Sequence, residues 1–177
     1  MRVISGKYKG KPLKELKLDH IRPTADKVKQ ALFTKLQFEI EGARVLDLFC
    51  GTGGLGIEAI SRGAKEVVFI DKNAKSVALT KENLKSIKEN AKVYNVSYEK
   101  AIEKVEGKFD LILVDPPYKS GVYQKVLELI AEKNILKEGG TIVCEHAKED
   151  EINTDSFIKY DEKRYGTVML TYFTNLE

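Results

Sequence analysis

Residues 45–56, VLDLFCGTGGLG, constrain this chain more than any other stretch. Val45, Leu46, Leu48 and Phe49 make a short, nearly unbroken apolar run, the pattern of a strand buried on both faces of a parallel sheet. Gly51, Gly53, Gly54 and Gly56 follow at once. Glycine reaches positive φ without a steric penalty and leaves the backbone bare, so a ligand can come close to the main chain here. From Leu55 the period becomes helical, with Leu55, Ile57, Ala59 and Ile60 on one broad side. Arg62 suits the last turn and Gly63 the position just beyond it. A buried strand running through a glycine turn into a helix predicts an α/β fold with its ligand at that turn.

Two cofactor classes use such a corner. Gly51, Gly53 and Gly56 satisfy G-x-G-x-x-G, and Asp71 closes a second buried run, residues 66–71 (EVVFID), 20 positions after Gly51, so a dinucleotide is not dismissed by counting. Asp47 argues the other way. A carboxylate at the tip of the first strand would repel a pyrophosphate at the helix N-terminus, where a dinucleotide needs positive potential. It would attract an ammonium or a sulfonium. S-adenosylmethionine carries both and no phosphate, which makes it the expected cofactor, with Asp47, Phe49, Gly51, Thr52, Gly53 and, from a later strand end, Asp115 as candidate contacts. Asp71 can accept both ribose hydroxyls.

The chain of 177 residues suits one buried core. It divides on this reading into a basic N-terminal hairpin extension, residues 1–21, and a single compact domain, residues 22–177. No run of 18 apolar residues occurs, and a soluble, cytoplasmic protein is expected. Cys50 and Cys144 lie in apolar segments without metal-ligand spacing and read as reduced, buried thiols. Neither a metal nor a disulfide is expected. The net charge of +3 conceals an asymmetry, because residues 1–35 hold ten Lys or Arg against Glu15, Asp19 and Asp26. A basic arm on a mildly acidic body is an electrostatic footprint for nucleic acid; a solvated lysine-rich face is the plainer alternative.

Residues 2–13 suit a short hairpin that projects Lys7, Lys9 and Lys11, with Tyr8 available to stack on a base. Pro23 holds Arg22 extended, and Thr24 is a plausible cap for a helix running to about residue 41, with Val28, Leu32, Leu36 and Ile40 inward. Arg22, Lys27 and Lys29 at its start oppose the helix dipole, and anion contacts explain them best. Residues 74–90 read as a surface helix and no more. Residues 91–98 read as a third strand that places Ser97 and Tyr98 at its carboxyl end, where an adenine would lie.

Residues 109–118, FDLILVDPPY, form the second informative stretch. A buried strand ends in Asp115, Pro116, Pro117 and Tyr118. The prolines stiffen the turn and donate nothing, so its carbonyls keep a set direction. A nucleobase amine is a poor nucleophile because its lone pair is delocalised into the ring. The Asp115 carboxylate and the Pro116 carbonyl can accept its two hydrogens and offset the charge that develops during alkylation. Tyr118 offers a flat face for an unstacked base. Beyond it come a helix over 122–133, a turn at 137–140 and a strand over 141–146. His146 reads as an ordinary solvated histidine, and residues 148–155 as a surface connection. A final hairpin turns at Arg164, Tyr165 and Gly166, which puts Arg164 and Tyr165 within reach of substrate.

With the DLFCGTG loop and the DPPY turn in hand, the chain resembles class I S-adenosylmethionine-dependent methyltransferases of the amino-group type. More closely, it is similar to the bacterial family that methylates the exocyclic amine of a guanine in 16S ribosomal RNA. The opening RVISG, residues 22–28 (RPTADKV), residues 31–33 (ALF), the core loop and residues 164–166 (RYG) match that pattern in order. The resemblance implies a seven-stranded, mostly parallel sheet with an antiparallel last strand and helices on both faces. Asp47 and the glycines would hold the methionine part, Asp71 the ribose, and Asp115 to Tyr118 the guanine amine. Arg2, Lys7, Lys9, Lys11, Arg22, Thr24, Lys27, Arg164 and Tyr165 would meet 16S ribosomal RNA or the small subunit, with the protein a monomer and no metal involved. Ser97 departs, since related enzymes often carry an acid there for the adenine amine. A DNA adenine or cytosine amino-methyltransferase shares the DPPY turn, but no separate target-recognition domain is evident here. A non-catalytic RNA-binding assembly factor on the same fold would not need Asp47, Asp71 and Asp115.

Overall fold

A computed structural model of the protein describes residues 1–16 and 24–176, with only the backbone of Thr24 and Ala25. Arg22 and the cap expected at Thr24 therefore lie outside the described residues and side chains. The elements run α1 (Thr24–Lys35), β1 (Arg44–Asp47), α2 (Gly54–Ser61), β2 (Glu66–Asp71), α3 (Ala74–Ser86), β3 (Lys92–Asn95), α4 (Tyr98–Lys104), β4 (Phe109–Val114), α5 (Tyr123–Lys133), β5 (Leu136–Ala147), β6 (Phe157–Tyr165) and β7 (Val168–Asn175). They build one seven-stranded sheet in the order β3-β2-β1-β4-β5-β7-β6. The first five strands pair in parallel, and β7 is antiparallel to both β5 and β6. This is the expected sheet.

Side chains alternate across each strand, which explains why the central runs are apolar at every position. Val45, Val67, Phe69, Leu111 and Val143 face Leu32, Leu36, Ile57 and Leu84, the apolar sides of α1, α2 and α3 with the turn that follows α1. Leu46, Val68, Ile70, Ile112 and Ile142 face Ile102 of α4 and Val126, Leu127 and Ile130 of α5. The strand order reverses between β1 and β4, so the loops leaving their carboxyl ends part there and open a crevice. Those two loops are the glycine turn and the DPPY turn.

Four local expectations change. The first helix stops at Lys35, and consecutive turns over 36–43 keep Leu36 and Ile40 buried at the same spacing without helix. The third strand is only four residues long, because Ser97 leaves the sheet to cap α4, its Oγ accepting the Lys100 N–H. That short helix is absent from the sequence reading. Residues 137–140, expected as a turn, lie within β5. Phe109 pairs with Leu136 and Leu111 with Thr141, so the extra residues form a bulge, with Gly139 at φ 76°. Arg164 and Tyr165 end β6 instead of forming the hairpin tip.

The N-terminal ribbon is a minimal one, with a single bridge between Arg2 and Pro12, and it docks on α2. Val3 and Leu13 are buried in the core that also contains Leu32 and Phe33. Ser61 Oγ accepts the Tyr8 N–H, and Ser61 O accepts the Lys7 N–H. A Cβ on Gly6, whose φ is 87°, would lie 2.0 Å from that carbonyl oxygen, so only glycine allows this approach.

Candidate active site between the glycine loop and the DPPY turn

Asp47 is 1% exposed at the end of β1. Its Oδ2 accepts the Gly56 N–H at 3.1 Å, so the carboxylate sits against the N-terminal turn of α2. Its Oδ1 is buried without a hydrogen-bond partner among the described residues. The helix comes this close to the sheet because Gly56 has no side chain; a Cβ there would lie 2.3 Å from the Phe69 ring. Of the four loop glycines, Gly51 and Gly53 take positive φ, and Gly54 and Gly56 are helical.

The loop is held from behind. Asp71 Oδ2 accepts the Gly51 N–H at 2.9 Å while Oδ1 accepts the Asn73 N–H at 2.8 Å. Thr80 Oγ1 donates to Gly51 O at 2.8 Å, and Asn83 Nδ2 donates to Thr52 O at 2.8 Å and to Lys14 O at 3.0 Å. Thr80 and Asn83 are fully buried in α3, the helix expected to be mere surface. Their sequence signal was a stripe of small polar residues, Ser76, Thr80 and Asn83, at helical spacing beside Val77 and Leu84. Cys50 lies next to Thr80, and burial pushes its thiol well up, as it does that of Cys144.

A cavity of about 210 Å³ brings Asp47, Phe49, Gly51 and Thr52 together with Asp115 across the crevice. A second, of about 340 Å³, continues past the turn and is walled by Asp115, Pro116, Tyr118, Tyr123 and Glu145. Asp115 and Glu145 border both. Pro117 O accepts the Ser120 N–H, so one carbonyl of the DPPY turn closes the turn itself, and Tyr118 is 64% exposed. Asp71, Ser97 and Tyr98 do not line the smaller cavity, although Asp71 holds the Gly51 N–H beside it and the Tyr98 ring lies 5.5 Å from that of Phe49, which lines it. Ser97 uses its hydroxyl as the cap of α4.

The model of the family described as Conserved hypothetical protein 95 matches residues 1–174. The chain belongs to that family. The Bacillus subtilis protein YlbH is 44% identical over 86% of this chain and 85% of its own length. The Haemophilus influenzae protein named ribosomal RNA small subunit methyltransferase D is 33% identical over 99% of this chain and 94% of its own. The solved structure of Escherichia coli yhhF superimposes with a TM-score of 0.88 at 29% identity, covering 99% of this chain and 97% of that one. The resemblance read from the motifs is thus borne out.

Around the smaller cavity, acids outnumber cations among the described residues. Lys29 borders the smaller cavity, but its Nζ lies 3.4 Å from Glu58 Oε1 and 3.0 Å from Arg2 O, so it is a buried structural cation and not the anion contact expected of it. Burial raises Asp47, against the pull of the Gly56 N–H and with help from nearby Asp71, to about 7. A carboxyl raised this way stabilises the fold below the ordinary carboxylate range and loses that contribution as pH climbs through about 7. The ligand-free protein should therefore lose thermal stability as pH rises from about 4 to about 7 and level off above that, and Asp47→Asn should flatten that slope. A melting curve whose pH dependence ignores the substitution would exclude Asp47 as the titrating group.

His146 is buried, contrary to expectation. Its Nε2 lies 2.7 Å from Thr171 Oγ1 and its Nδ1 2.9 Å from Ala147 O, with Tyr123 edge-on at 5.8 Å. Because Nδ1 faces a carbonyl it carries the proton, and the ring pins β5 to β7. On the outer face, Tyr8 is not available to stack, since its hydroxyl donates to Glu89 and its ring packs on the core. Arg2, Lys7, Lys9, Lys11 and Lys27 are exposed. Tyr165 and Lys27 share a groove with Lys35 and Lys163, and Arg164 folds back so that Nε donates to Gly166 O.

Proposed function

We propose that the protein transfers a methyl group from S-adenosylmethionine to the exocyclic amine of a guanine in 16S ribosomal RNA. The observation that carries this reading is the shared cavity, in which the buried Asp47 and the DPPY acid Asp115 line one space. That space suits a cationic amine without phosphate, because Asp47 keeps a buried oxygen lacking a partner and Lys29 is already paired. Asp47 with Phe49, Gly51, Thr52 and Gly53 would hold the methionine part. Asp71 would reach the ribose, and Tyr98 beside Phe49 would border the adenine. When bound, the cofactor supplies an electrophilic methyl on a sulfonium.

The chain's own contribution is positioning. Asp115 and the Pro116 carbonyl accept the amine hydrogens, fix the nitrogen's direction and offset its growing positive charge. Tyr118 stacks the base, which must leave its helix to reach the turn. No covalent intermediate on the enzyme is needed. Arg2, Lys7, Lys9, Lys11, Lys27 and Tyr165 form the RNA-facing side, which supplies affinity through phosphates. Outside the described part of the chain, Arg22 belongs with them by its charge. The protein acts as a soluble cytoplasmic enzyme, and among the described residues no helix is long and apolar enough to cross a membrane.

The test is direct. Calorimetry should detect binding of S-adenosylmethionine and none of NAD. Small subunits from cells lacking the protein should then accept labelled methyl groups, recovered after nuclease digestion as N2-methylguanosine by mass spectrometry. Label in an adenine or cytosine product, or none at all, would refute the reading.

A further inference from the structure

We infer that Glu145 selects guanine, its carboxylate accepting the ring N1–H of the target base while Asp115 accepts from the 2-amine. The inference rests on the guanine reading above. Sheet register places the two acids together: Val114 of β4 lies beside Cys144 of β5 in parallel pairing. Asp115, just past the end of β4, and Glu145, in β5, are each the next residue toward the carboxyl edge of two strands spaced about 5 Å apart. Both border the smaller cavity over the glycine loop and the larger one beyond the DPPY turn. They therefore stand where the methyl donor's space meets the base's space.

The backbone under Glu145 is fixed. Tyr123 OH donates to the Glu145 carbonyl at 2.8 Å, and the neighbouring His146 is held by Thr171 and Ala147. A polar group on such a rigid strand can discriminate, where one on a mobile loop would adapt.

The chemistry of the three amino bases makes this second acid meaningful. Guanine presents its amine beside a ring N–H, two donors in a row. Adenine and cytosine present an amine beside a bare ring nitrogen, an acceptor. One carboxylate and a carbonyl serve any of these amines. A second carboxylate alongside accepts the ring N–H of guanine and repels the lone pair of the other two. The DPPY turn would thus bind an amine, and Glu145 would decide which base brings it.

The experiment compares RNA carrying guanine or 2-aminopurine at the methylated position. 2-Aminopurine keeps the 2-amine but has a bare N1. The wild-type enzyme should prefer guanine by at least roughly 100-fold in kcat/KM, since a site built to accept a hydrogen leaves its acceptor unpaired on an analogue without one. Glu145→Gln can donate to the bare N1, and should bring the ratio to within a few-fold, chiefly by losing activity on guanine. Quenching of 2-aminopurine fluorescence, measured without cofactor, should tighten in parallel. Glu145→Ala, should the glutamine variant fail to fold, is expected to shrink the ratio as well. A ratio unchanged in a variant with a wild-type melting temperature overturns the inference and leaves the guanine reading intact. A wild-type enzyme that methylates neither base overturns both.

Discussion

Alanine at position 115 is expected to lower methyl transfer by about 10²–10³-fold, roughly 3–4 kcal/mol of transition-state stabilisation, the usual loss when one preorganised electrostatic partner is removed. Affinity for S-adenosylmethionine should change only a few-fold, because Asp47 and the glycine loop lie on the other wall of the cavity. The physical reason is that charge develops on the amine nitrogen only as the methyl transfers, so in the proposed mechanism Asp115 acts more on the transition state than on either bound molecule. Single-turnover transfer and calorimetry on the same preparation separate the two effects. Equal loss in both would reassign Asp115 to cofactor binding, and unchanged turnover would remove it from the mechanism.

The second large effect lies away from the chemistry. Glu58 is 0% exposed in α2 and gathers four partners: Arg62 Nε at 2.9 Å, Lys29 Nζ at 3.4 Å, and the N–H groups of Ile4 at 2.8 Å and Ser5 at 3.1 Å. Glu58→Ala would leave two largely buried cations and two N–H groups without their acceptor, an effect of about 3–5 kcal/mol. Set against a typical total of about 5–15 kcal/mol, that is a large fraction of the stability. At about 2–4 °C per kcal/mol for a chain of this size, the melting temperature should fall by roughly 10 °C. The amides of Ile4 and Ser5 should also lose protection in hydrogen exchange, since the knot is what ties the N-terminal ribbon to α2. A shift of under about 1 °C would mean that Lys29, Arg62 and the two N–H groups find other partners without Glu58, and that it is not what holds the ribbon.

These predictions draw on different kinds of information. Asp115 could be singled out in the sequence because its neighbours are Pro116, Pro117 and Tyr118, a local combination with one coherent chemistry. Glu58 could not be. In the sequence it is an acid at i and i+4 with Arg62 on a short helix, which reads as a solvated pair. Its burial depends on residues 1–13 lying over α2, and that contact spans more than 50 positions of chain. The buried roles of Thr80, Asn83 and Lys29 are hidden from the sequence for the same reason. A polar side chain signals nothing local when its partner is a distant backbone carbonyl or a distant acid. Ser97 shows the converse, because a cap at the start of a seven-residue helix is a local feature, hidden here by strand-like neighbours at Val93 and Val96.

The sequence by itself determined the sheet, the position of the crevice and the two motifs that flank it. Those follow from short-range pattern: apolar runs buried on both faces, glycines at a strand end, a stiff proline turn. Only the tertiary structure decided how the charges behave. Packing carried Asp47 out of water, which raises its carboxyl to about 7 and makes its charge conditional on pH and on what lies against it. It also folded a basic ribbon over the single buried acid of α2, Glu58, and it set Glu145 beside Asp115 through the pairing of two strands about 30 residues apart along the chain. Burial and register are properties of surfaces brought together, and no window along the chain contains both of them.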